Sequence, residues 1–360
     1  MDLTVIALFV IGLVLLVAGA EFLVRGAARL AARLGITPLV IGLTVVAFGT
    51  SAPELAVSVQ AGFAGQSDIA VGNVVGSNIV NVLLILGISA LIVPLVVSQQ
   101  LVRIDVPLLI GASVLFLITA LDGHIGLFDG ILLFAGIVGY ILFALHLSRR
   151  ESAAIEEEYA QEFGDAGAGK ISAALPVQIA LIVAGLAMLV LGSHWLVEGA
   201  VAFARLFGVS ELIIGLTIVA IGTSLPELAT SVVAALRGER DIAVGNVVGS
   251  GIFNILAIAG IAAMVTPGGL AVAPALTRFD IPIMIAAAFA CLPVFAAGHL
   301  IPRWQGALFI AFYAAYATYL VLDATGHAML PTFSAAMIGF VLPLTAITLI
   351  VVLVHQRSSR

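Results

Sequence analysis

Apolar runs, each about long enough to cross a bilayer, follow one another along the chain with short polar breaks between them. They fall at about 3–25, 38–62, 69–94, 104–121 and 127–147, and again at about 174–199, 211–236, 242–266, 279–297, 304–322 and 333–355. A spanning helix needs roughly 20 predominantly apolar residues, so the pattern predicts eleven transmembrane helices. The longest polar stretch, Ser148 to Lys170, separates a first five-helix unit at 1–147 from a second at 174–322. Residues 148–173 read as a loop, and 323–360 as one extra C-terminal helix and tail.

The two units are copies of one another. Residues 39–81 align with 212–254 without gaps at a constant offset of 173, and 30 of those 43 positions are identical. GLTVVAFGTSAPELAVSV stands against GLTIVAIGTSLPELATSV, and DIAVGNVVGSNIVN against DIAVGNVVGSGIFN. Fainter matches place Arg103-Ile104-Asp105 opposite Arg278-Phe279-Asp280 and Gly123-His124 opposite Gly298-His299. Five is odd, so the second copy is expected to enter the membrane from the opposite side. Such inverted-topology repeats are a construction plan of many secondary transporters. The expected fold is therefore an all-α polytopic membrane protein, two inverted five-helix units plus an eleventh helix.

Composition narrows the class further. Hydrophobic residues make up 62% and charged ones 9%, with a mean hydropathy of +1.25. Soluble domains lie near 45–50% and 25%, so a soluble enzyme, a disordered segment and a disulfide scaffold are excluded. Barrel strands alternate polar and apolar residues and do not reach this hydropathy. The net charge of −6 offers no basic face to a nucleic acid, and Cys291 stands alone, so neither a disulfide nor a thiolate metal site is expected. The N-terminal run is flanked by Asp2 and followed by Arg25, Arg29 and Arg33, the reverse of a signal peptide, and is read as an uncleaved helix. Across the eleven spans, twelve of the fourteen basic residues fall on one side, with only Arg205 and Arg278 on the other. The positive-inside rule then places the N-terminus outside and the 148–173 loop and C-terminus in the cytoplasm, in the cell (inner) membrane.

Candidate chemistry lies in the repeated motifs. Glu54 and Glu227 fall near the middle of spans, inside Gly49-Thr50-Ser51-Ala52-Pro53-Glu54 and Gly222-Thr223-Ser224-Leu225-Pro226-Glu227. A carboxylate at that depth costs about 3 kcal/mol or more and is retained where it meets a partner or a wet cavity. Pro53 and Pro226 each remove a helical donor and displace the carbonyl four residues back, freeing oxygens around Ala47–Thr50 and Ala220–Thr223. Ser77 and Asn81 share a helix face, as do Ser250 and Asn254. Such oxygens suit Ca²⁺ or Na⁺. Gly72 and Gly76, with Gly245 and Gly249, read as small residues at close helix contacts. Asp68, Asp241, Asp105 and Asp280 read as helix caps, and Glu21 and Glu198 as solvated or paired residues near helix ends. No nucleophile–base pair or His-rich metal motif marks an enzyme.

The duplicated GTS(A/L)PE and GNVVGS(N/G)I(V/F)N segments resemble the alpha-repeats of the sodium/calcium exchangers in the calcium/cation antiporter superfamily, prokaryotic type. That resemblance implies a central Ca²⁺ site of Glu54 and Glu227 with the Thr50 and Thr223 carbonyls. It implies Na⁺ sites at Ser51, Ser77, Ser224 and Ser250 helped by the Ala47 and Ala220 carbonyls, with Asn81 and Asn254 lining the middle. Potassium-dependent relatives carry Asp where Asn254 stands, so the resemblance implies electrogenic Na⁺/Ca²⁺ antiport independent of K⁺. The alternative is antiport of H⁺ and Ca²⁺, or of other cations, through the same Glu pair. No cofactor is expected beyond the transported ions, and Gly19, Gly26, Gly192 and Gly199 are expected to let the first and sixth helices slide over a fixed core.

Overall fold

A computed structural model describes residues 3–163, 175–208, 218, 220–296 and 298–345. The elements are α1 (Leu3–Leu34), α2 (Pro38–Thr50), α3 (Ala52–Phe63), α4 (Ser67–Ile92), α5 (Leu101–Thr119) and α6 (Leu127–Phe163), then α7 (Leu175–Leu206), α8 (Ala220–Gly222), α9 (Leu225–Leu236), α10 (Arg240–Val265), α11 (Leu276–Ala296), α12 (Arg303–Ala324) and α13 (Leu330–Thr345). Among the described residues, eight helices are long and apolar enough to span a membrane, and the bent pair α2–α3 makes a ninth. The protein is thus an all-α polytopic membrane protein. The seventh and eleventh expected spans are described only in part, by α8–α9 and α13, because 211–217, 219 and 346–360 lie outside the described residues. One expected boundary moves: α6 runs on to Phe163, so residues 148–163, read as loop, are helical.

The halves interlock. α4 and α10 are the most buried spans, the helices that carry the two GNVVGS segments. Two short antiparallel strand pairs also join one half to the other. β1 (Leu95–Val96) pairs with β4 (Leu300–Ile301), and β2 (His124–Ile125) pairs with β3 (Leu270–Ala271).

Against this core lies a pair of long helices. α1 and α7 each contain 32 residues, about 48 Å at 1.5 Å per residue, longer than a bilayer's hydrocarbon core. They pack antiparallel along glycines spaced by seven, Gly12, Gly19 and Gly26 against Gly192, Gly185 and Gln178. A Cβ on Gly192 would stand 2.7 Å from the Leu16 amide nitrogen and 2.8 Å from the Gly12 carbonyl oxygen. Gly199 likewise admits Phe9, whose Cβ lies 2.9 Å from the added atom. Gly19, Gly26, Gly192 and Gly199 therefore do not form a sliding surface over the core. They weld α1 to α7, because close backbone approach is how small residues hold membrane helices together. The core meets this pair through its own glycines, with Leu186 seated on Gly49 and Val197 on Gly222.

The expected aspartate caps are also corrected. Asp68 and Asp241 lie in the first turns of α4 and α10, behind Gln66 and Glu239 at the cap positions. Asp105 and Asp280 close π-helical turns at 101–105 and 276–280 in helical conformation, and Asp105 caps nothing. Each instead accepts a tyrosine hydroxyl, Tyr140 at 3.1 Å on Asp105 and Tyr316 at 2.8 Å on Asp280. Asp105 is fully buried and its Oδ2 has no hydrogen-bond partner. Tyr140→Phe should therefore deprive a buried carboxyl of its hydroxyl donor and cost about 1–3 kcal/mol. A lowered thermal midpoint for the detergent-solubilised protein checks it, and an unchanged midpoint refutes it.

Candidate ion-binding site

Each copy of the GTS(A/L)PE motif is a break between two helices. α2 ends at Thr50, Ser51 leaves the helix at φ −83° and ψ 8°, and α3 restarts at a bend of 45°. Ser224 repeats those angles at φ −89° and ψ 8° before α9. Pro53 and Pro226 fall in the first turns of the new helices, where a missing amide hydrogen costs nothing. The prolines thus start helices rather than kink continuous ones. Glu54 and Glu227 occupy the same first turns, where the helix dipole favours negative charge.

The two breaks exchange equivalent bonds. Ser51 Oγ donates to Glu227 Oε1 at 2.9 Å, and Ser224 Oγ donates to Glu54 Oε1 at 3.1 Å. Both glutamates are fully buried. On each, the other oxygen, Oε2, has no hydrogen-bond partner. Among the other buried groups that share that condition are the hydroxyls of Ser77 and Ser250 and the side-chain amides of Asn81 and Asn254. Asn81 and Asn254 lie in π-helical turns, Val80–Ile85 and Asn254–Ile258, a wider winding that recurs at functional sites. The Ala47 carbonyl accepts from the Ser51 amide at 3.0 Å and from Thr50 Oγ1 at 3.3 Å. Ala220 heads α8, one residue before Ile221, whose carbonyl accepts the Ser224 amide.

Two residues outside the expected set hold this arrangement. Asn73 Nδ2 donates to the Glu54 carbonyl at 3.0 Å and to Ser58 Oγ at 2.9 Å, while its Oδ1 accepts from Thr223 Oγ1 at 3.4 Å. Asn246 does the same with the Glu227 carbonyl at 3.3 Å, Ser231 Oγ at 3.0 Å and Thr50 Oγ1 at 3.1 Å. Each asparagine fastens its own glutamate segment to its own GNVVGS helix and reaches a threonine of the opposite half. Their signal in the sequence was identity between the copies, which Ser58 and Ser231 share. The glycine contacts read for this segment exist in the second copy, where a Cβ on Gly249 would lie 2.7 Å from the Leu43 Cα. The counterparts of residues 39–44 in the second copy, 212–217, lie outside the described residues. Supports that orient a ligand set typically cost roughly 10–100-fold in ion affinity when lost. Asn73→Ala and Asn246→Ala are each expected to weaken Ca²⁺ binding by that factor, measured by isothermal titration. Unaltered binding in both would refute the supporting role.

Two buried carboxylates held across the halves of a multi-helix membrane protein offer the hard oxygens that suit a cation. The sodium/calcium exchanger protein family model matches residues 4–146 and 177–322. The chain is 39% identical over 291 residues to the inner membrane protein YrbG of Escherichia coli, covering 79% of this chain and 87% of that one. It is 34% identical over 342 residues to the sodium/calcium exchanger MaX1 of Methanosarcina acetivorans, covering 87% and 97%. Among solved structures, the sodium-calcium exchanger NCX_Mj soaked with Na⁺ and Ca²⁺ superposes with a TM-score of 0.73 at 29% identity, covering 87% of this chain and 97% of that one. The chain belongs to the sodium/calcium exchanger family.

Proposed function

We propose that this protein exchanges Na⁺ for Ca²⁺ across the cell membrane by alternating access, electrogenically and without K⁺. One observation carries the reading. Two buried glutamates each give one oxygen to a serine of the opposite half and keep the other unpartnered, and the buried Ser77, Ser250, Asn81 and Asn254 side chains lack partners as well. In this reading Glu54 and Glu227, with the Thr50 and Thr223 carbonyls, hold Ca²⁺, and their two charges balance that ion. Ser51, Ser77, Ser224 and Ser250, with the Ala47 and Ala220 carbonyls, serve Na⁺, and Asn81 and Asn254 line the centre. Hard oxygen donors fit both ions, so the two compete for one set of oxygens. Asn254, neutral where an acid would add a charge, favours independence from K⁺. The units 1–147 and 174–322 cross the membrane in opposite senses, with the N-terminus outside and the C-terminus in the cytoplasm. The reciprocal bonds between the two breaks support that inverted arrangement.

The test is ion flux. Proteoliposomes loaded with Na⁺ should take up radiolabelled Ca²⁺ from Na⁺-free medium, without K⁺, at a rate that responds to membrane potential. Uptake driven as well by a pH gradient with no Na⁺ would establish the H⁺/Ca²⁺ alternative instead.

A further inference from the structure

Inverted repeats interconvert their outward- and inward-facing states by exchanging the conformations of the two halves. With identical halves the two states would have equal free energy. Any interaction present in one half and impossible in the other therefore biases the equilibrium. One such interaction joins the α1–α7 pair to the core.

Glu21 of α1 is largely enclosed and pairs with Arg25 on its own helix and with Arg237 at the end of α9. Arg237 Nε donates to Glu21 Oε2 at 2.8 Å. Arg237 is the C-cap of α9, and its counterpart, the C-cap of α3, is Ala64. The counterparts of Glu21 and Arg25 are His194 and Glu198 on α7, both exposed. Alanine bears no charge, so the second copy has no means of making this bond between α7 and α3. We propose that Glu21 and Arg237 form a one-sided ionic latch, which stabilises the transport state in which α1 rests on the end of α9. The latch opens each time the helix pair moves. Arg25 keeps the Glu21 carboxylate paired while Arg237 is released, which lowers the cost of opening.

The inference rests on the alternating-access reading, and the experiment separates the two. Nitroxide labels at Val17 of α1 and Phe63 of α3, both exposed, report the helix pair against the core in a Cys291→Ala background. In reconstituted protein, exchanging Na⁺ for Ca²⁺ should redistribute the inter-label distances. Arg237→Gln should reduce the ratio of latched to unlatched populations about fivefold, the worth of a half-exposed pair. Arg237→Lys, which keeps the charge beside Glu21, should preserve most of it. The apparent Ca²⁺ affinity in Arg237→Gln should rise on one membrane face and fall on the other, since only the fraction of each state has changed. A general loss of stability would lower both. Distances that never respond to ions overturn the alternating-access reading and the latch with it. Ion-responsive distances identical in wild type and Arg237→Gln overturn the latch alone.

Discussion

Glu54→Gln and Glu227→Gln should each reduce Na⁺-driven Ca²⁺ uptake to the level of protein-free vesicles. Glutamine preserves size and can still accept the serine hydroxyl, so the change is one of charge. Both carboxylates are fully buried, and each is hydrogen-bonded by the opposite half. Leaving a buried divalent ion with one carboxylate instead of two resembles breaking a buried ion pair, which costs about 3–5 kcal/mol. That is a loss of roughly a hundredfold or more in affinity. The comparison that makes the test specific is Ser51→Ala. It removes the hydroxyl that Glu227 accepts, worth about 1.5–3 kcal/mol for a hydrogen bond to a charged group, together with one oxygen proposed for Na⁺ but no charge, and should leave transport weakened but measurable. Full activity in either glutamine variant would dismiss the site.

Much of this was legible because the chain is written twice. The two glutamates, the serines beside them and the hydroxyl and amide positions on α4 and α10 appear at one offset, and the structure gathers the acid–serine pairs through reciprocal bonds. Other features were not legible, for identifiable reasons. Asn73 and Asn246 were as strongly repeated as Asn81 and Asn254, but a neutral amide in a helical segment does not announce which carbonyl it will reach. Asp105 precedes Pro107 at the start of a span, the local pattern of a cap. Only the fold brings Tyr140, thirty-five residues away, onto its carboxylate. Pro53 and Pro226 read in the sequence as displacing the carbonyl four residues back, whereas in the structure Ser51 and Ser224 end one helix and the prolines open the next.

The glycines of the first and sixth spans show the same limit, and they lead to the second large effect. Their spacing by seven marks one stripe on each helix, but a stripe does not say which surface it meets. The structure sets the two stripes against each other, so substitution should disturb the α1–α7 pair before it touches the ion site. Gly192→Leu would drive a branched side chain into the Leu16 amide and the Gly12 carbonyl, both backbone atoms that have no rotamer by which to yield. Overpacking of this kind costs about 1–3 kcal/mol, or more where backbone must move. If α1 and α7 move as one body, separating them uncouples their movement, and exchange should fall at least tenfold. Ca²⁺ binding at equilibrium should change little, because Glu54 and Glu227 lie on α3 and α9. Val14→Leu, at a residue of α1 that is 60% exposed, places the same leucine side chain toward lipid and should leave exchange intact. The decisive measurement is the pair of flux and binding titrations on Gly192→Leu. Lost flux with retained binding assigns the glycines to movement, and equal loss of both would place them instead among the supports of the ion site.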